Sequence, residues 1–168
     1  MCSDRRRPAK HPDRGGASSG KTTRANGLLA LPGFALDRVF LIEDTPELAC
    51  SAVDCVTTLT RCAPHPVGVA DLVRDALRMR PDRIVVGEMR DGAAALETLK
   101  AWNTGHPGGL STIHANSAAE AFQRLEDLIG EVAAVAPTRI IQQTLDGVGF
   151  IRRTSEGRRV EAIIVRQA

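Results

Sequence analysis

Two groups of residues in this sequence have the types and spacing for phosphate chemistry. The first is Gly15, Gly16, Ala17, Ser18, Ser19, Gly20, Lys21 and Thr22, which fits the pattern G-x-x-x-x-G-K-[ST]. In such a turn the backbone N–H groups wrap a phosphate and the Lys supplies charge. The second group is acidic. Glu43, Asp44 and Glu47 come just after the apolar run Val39, Phe40, Leu41, Ile42, and Glu88 comes just after Ile84, Val85, Val86 and Gly87. Beside a phosphate loop, acids past the carboxyl end of a buried strand are candidates for a Mg2+ shell or for orienting the attacking water. Glu88 is therefore the expected second half of a site that binds a nucleoside triphosphate with Mg2+.

Several elements must hold these groups. Residues 22–31 read as a helix whose amino end points at the loop, so its dipole adds to the anion site, and Pro32 and Gly33 stop it. Residues 39–42 and 83–87 suit strands buried on both faces. Val69, Leu72, Val73, Ala76 and Leu77 form the stripe of an amphipathic helix that Pro81 ends, and the stretch 48–68 before it reads as irregular connection. Asp91 caps a helix with Leu96, Leu99 and Trp102 inward. Residues 110–115 have strand character, with His114 near their end. Ser117 and Glu120 make a capping box for a helix that buries Phe122, Leu125, Leu128 and Ile129. Pro137 starts another helix, and residues 148–151 and 160–165 form a hairpin turned at Glu156 and Gly157. The expected fold is α/β: a mostly parallel sheet flanked by helices, with a C-terminal β-hairpin.

The amino end does not supply the strand that should run into the phosphate loop. Residues 1–14 include Arg5, Arg6 and Arg7 and two Pro but no Val, Ile, Leu or Phe, so they read as a disordered basic tail, with one domain over 15–168. The 168 residues, 43% apolar and 25% charged, are enough for one core. A net charge of +2, with no aromatic residue among the basic residues of the tail, argues against direct sequence-specific nucleic-acid binding. No apolar run approaches the roughly 18 residues of a membrane span, so a cytoplasmic location is expected. Cys2, Cys50, Cys55 and Cys62 lack paired C-x-x-C spacing and read as free thiols rather than as a zinc site with His65.

Four motifs in order resemble the hexameric secretion ATPases: residues 15–22, 43–47, 83–90 and 104–116. The wording of residues 42–48 and 101–109 is similar to the TrbB-like, conjugative-transfer branch of that family. This resemblance implies a RecA-like P-loop NTPase domain in a homo-hexamer at the cytoplasmic face of the inner membrane, working with other type IV secretion components. In such a domain Lys21 holds the outer phosphates, Thr22 and Glu88 the Mg2+, and Glu47 is the general base, supported by Glu43 and Asp44. Gly15, Gly16, Ser18, Ser19, Gly20 and Thr23 complete the nucleotide loop, Arg90 pairs with an acid, and His106 and His114 form a histidine box that senses the outermost phosphate. The sequence departs from the family at Ser18, where members carry Gly, in its charged residues 1–14, and in lacking the family's amino-terminal domain. A truncation, through a frame disruption or a misassigned start upstream of Gly15, accounts for all three departures together and leaves a non-catalytic remnant or partner-binding fragment as the alternative function. A small P-loop kinase has no use for the 87–90 and 112–116 motifs.

Overall fold

The computed structural model describes residues 20–133 and 138–166. The expected basic tail, the loop residues Gly15, Gly16, Ser18 and Ser19, and the helix start at Pro137 lie outside them.

Strand β1 (Arg38–Glu43) is the centre of a four-stranded parallel sheet of order β2-β1-β3-β4. Alternation along β1 sends its side chains to both faces, and both are covered. Phe40 and Ile42, with Ile84 and Val86 of β3 (Arg83–Val86), meet Val69, Val73 and Ala76 of α2 (Val69–Ala76) and Ala94 and Ala101 of α3 (Gly92–Asn103). Val39, Leu41 and Val85 meet Leu29 of α1 (Lys21–Leu29) on the other face. Each large side chain so buried stabilises the fold by about 1.5–3 kcal/mol. A third cluster joins Leu99 of α3 to Leu125 and Ile129 of α4 and Ile141 of α5. α4 spans Ala118–Gly130 and α5 spans Thr138–Thr144.

The irregular connection expected over 48–68 is corrected by the structure. Residues 54–59 form β2 (Asp54–Leu59), paired in parallel with β1 along its whole length. Val56, Thr57 and Thr58 are β-branched and favour the strand, but its edge position leaves it half-exposed, without the apolar run that marks a central strand. The fourth strand is shorter than expected: β4 is Leu110–Ser111, beside Val85 and Val86. Strands β5 (Gly147–Thr154) and β6 (Gly157–Val165) pair antiparallel as a separate two-stranded sheet. Among the described residues no strand precedes α1 or stands between β4 and β5.

Capping follows the sequence closely. The Asp91 carboxylate accepts from Ala94 N, and the Ser117 hydroxyl accepts from Glu120 N. Glu120 Oε2 accepts from Asn116 N, one residue before the expected reciprocal partner. At the amino ends of the strands Arg83 binds the Asp37 carboxylate, donates to Gly108 O and Gly33 O and lies over the Phe34 ring. On the same rim Trp102 Nε1 donates to Ile84 O (2.9 Å). No helix among the described residues is long and apolar enough to cross a membrane.

Candidate functional site

At the opposite rim, the carboxyl ends of β1 and β3 and the amino end of α1 enclose a cavity of about 500 Å³. Open α/β sheets present ligand sites at this edge. Gly20 caps α1 with φ +88, a left-handed conformation that glycine takes without strain. The first helical residues, Lys21, Thr22 and Thr23, border the cavity. Their N–H groups have no partner within the helix, because the first turn of any helix leaves its donors for a cap or an anion.

The connection from β1 to β2 contains no helix and crosses on the α1 face, where Leu48, Cys50 and Ala52 pack around Leu29. Its position is set by a buried anchor, Glu43, and a half-buried one, Asn26. Glu43, only 3% exposed, accepts from Glu47 N (2.9 Å) and Leu48 N (2.8 Å) with Oε1, while its Oε2 is buried with no partner. Gly87 stands against the Glu43 stem; a Cβ there would come 3.3 Å from Cγ. Asn26 of α1 holds the same connection from the other side, donating to Glu47 O (3.1 Å) and accepting from Ala49 N (2.9 Å). The exposed Glu47 carboxylate then meets the Thr22 hydroxyl, which donates to Oε2 at 3.0 Å.

Glu88, past the end of β3, is held by Arg90 and His114. Arg90 Nε donates to its Oε2 (2.6 Å), and His114 Nε2 lies 3.1 Å from Oε1. Arg90 also donates to Asp44 Oδ2 (2.9 Å), and the Glu88 contact, foremost, raises the guanidinium pKa further above its ordinary range. The Lys21 ammonium sits 3.4 Å from His114 Nδ1. Lys21, Thr22, Thr23, Glu47, Glu88 and His114, separated by up to 93 positions in the chain, thus border one cavity.

His106 is not brought there. Its Nδ1 is 3.3 Å from Ala101 O at the end of α3. The 106–109 turn is held at the amino rim of the sheet, where Gly108 O accepts from Arg83 and Gly109 lies tight against Trp102. A helix running back from the carboxyl end of β3 delivers its own end to the far rim, and His106 goes with it. Asn26 and Arg158, which also borders the cavity, escape a reading by motif; an Asn inside a predicted helix facing the loop was the one available signal. No group of three or more His, Cys, Asp or Glu side chains is placed to hold a metal ion among the described residues. Cys50 and Cys55 are free thiols in contact with one another, whereas Cys62 is disulfide-bonded and not the free thiol expected.

A family model for type II/IV secretion system proteins matches residues 14–155. The chain belongs to that family. The conjugal transfer protein TrbB of Rhizobium radiobacter is 45% identical over 152 residues, 89% of this chain and 46% of its own length. The probable conjugal transfer protein TrbB of Sinorhizobium fredii is 47% identical over the same shares. Among solved structures, the VirB11 ATPase from the Brucella suis type IV secretion system, crystallised with sulphate, superposes with a TM-score of 0.77 at 28% identity, covering 89% of this chain and 47% of that one. The α/β architecture is thus the RecA-like one of the secretion ATPases, and the chain spans about half the length of the curated relatives it matches.

Proposed function

We propose that this chain binds ATP with Mg2+ and hydrolyses it as a motor subunit of a conjugative type IV secretion system, energising pilus assembly or the transfer of DNA or protein. One observation carries this reading: Lys21, Thr22, Glu47 and Glu88 border a single cavity at the amino end of a helix. The residues fit the ligand. The volume suits a nucleotide, and the orphaned, buried Glu43 Oε2 in its wall calls for a bound water or ligand donor.

In this reading residues 15–23 and the Lys21 ammonium hold the phosphates. Thr22 and Glu88 hold the Mg2+, whose charge offsets that of the phosphates when bound. Glu47 accepts a proton from the attacking water at its carboxylate, oriented by the Glu43 and Asn26 contacts to its backbone. His114 stands beside Lys21 to meet the outermost phosphate, and His106 stays clear of this chain's own nucleotide. The chain acts as a homo-hexamer at the cytoplasmic face of the inner membrane, against other secretion components.

A second reading, a non-catalytic fragment that binds partner subunits, is favoured by the pairing within the cavity: Glu88 is held by Arg90 and His114, and Glu47 by Thr22. Phosphate release by the wild type and Lys21→Ala separates the two. The ATPase reading expects a loss of about a hundredfold or more, the scale of removing a principal transition-state contact. Equally negligible release from both leaves the fragment reading standing. Light scattering with and without ATP and Mg2+ tests the ring.

A further inference from the structure

We infer that Arg158, delivered by the β5–β6 hairpin, is a phosphate-contacting residue of this site, gripping the phosphate chain of the bound nucleotide; the inference rests on the nucleotide reading of the cavity. Arg158 follows Gly157, whose φ of +124 turns the chain into β6. Its side chain crosses Gly20 at the head of α1. A Cβ on Gly20 would lie 2.5 Å from Arg158 Cδ, 3.3 Å from Nε and 3.7 Å from Cγ. Gly20 is thus needed both for its backbone conformation and for the room it leaves this arginine.

The same side chain borders the cavity with Lys21, Thr22, Glu43 and Glu88. Arg90 is already committed to Glu88 and Asp44, and the Lys21 ammonium faces the His114 ring. Four carboxylates, those of Glu43, Asp44, Glu47 and Glu88, border the same space, so a phosphate chain entering it gains from a guanidinium added to Lys21 and the bound Mg2+. A guanidinium at a helix amino end supplies two parallel N–H donors to phosphate oxygens, a geometry lysine cannot reproduce.

Such a role predicts dependence on the number of phosphates and on the charge at position 158, whereas a stem that merely packs on Gly20 predicts neither. Titration calorimetry with Mg2+ and ATP, ADP or AMP on the wild type, Arg158→Lys and Arg158→Gln distinguishes them, with circular dichroism to verify folding. Arg158→Gln, which keeps much of the stem, is expected to weaken ATP binding about tenfold or more and AMP binding less than about twofold, with Arg158→Lys recovering part of the loss. ATP affinity unchanged in Arg158→Gln, or ATP and AMP weakened alike, overturns the inference while leaving the nucleotide site intact. A wild type that binds none of the three nucleotides overturns the site and, with it, this role.

Discussion

Asn26 uses one side-chain amide to fasten α1 to the Glu47 connection through both a donor and an acceptor, so the helix that heads the cavity and the acid that faces it are held as one unit. Cys55 lies just past that connection, in β2. Burial first, and Cys50 beside it second, push the Cys55 thiol up to about 11. At pH 8 its thiolate is then roughly a few hundredfold scarcer than that of an ordinary cysteine. Because a more basic thiolate is also the stronger nucleophile, iodoacetamide at pH 8 should label Cys55 about tenfold more slowly in the folded chain than in denaturant, read by peptide mass; equal rates contradict the placement. The sign for stability follows from the raised value. The protonated thiol is the form that the fold favours, so its contribution is full below the ordinary thiol range and is lost as the pH climbs toward 11.

Between elements, α3 and α4 come close together at Gly92. A Cβ there would run into the backbone carbonyl of Leu128, and backbone cannot swing aside as a side-chain end can. Gly92→Ala should therefore cost about 1–3 kcal/mol by overpacking, although alanine is the better helix former. A denaturant midpoint unchanged from the wild type would contradict that. Much at this scale was legible in the residues themselves: Asp91 and Ser117 cap where expected, Val39 to Ile42 and Ile84 to Val86 are the central strands, and Glu156 with Gly157 turns the hairpin. Strand β2 was not, because Val56, Thr57 and Thr58 sit at a half-exposed edge and lack a continuous apolar run. The rim to which His106 belongs was also hidden. Spacing along the chain does not say where the far end of α3 arrives, and that position follows from the length of α3 and the Trp102 contact.

For the whole molecule, burial is uneven. β1 and β3 are covered on both faces, whereas β5 and β6 are mostly exposed, with Ile163 at 68% and Val165 at 66%. Local opening follows such differences, so hydrogen exchange should be slowest in residues 39–42 and 84–86 and markedly faster along the hairpin. Mass-resolved exchange that found the hairpin as protected as β1 would refute this. The lone indole offers a way to follow the opposite rim. Trp102 is the one Trp in a chain without Tyr, and it is tied to Ile84 O across the strands from the cavity. Its intrinsic fluorescence is an unlabelled gauge of whether an event at one rim is felt at the other. A steady emission spectrum on titrating nucleotide means the strands transmit nothing, and a red shift means that the far rim has let in water.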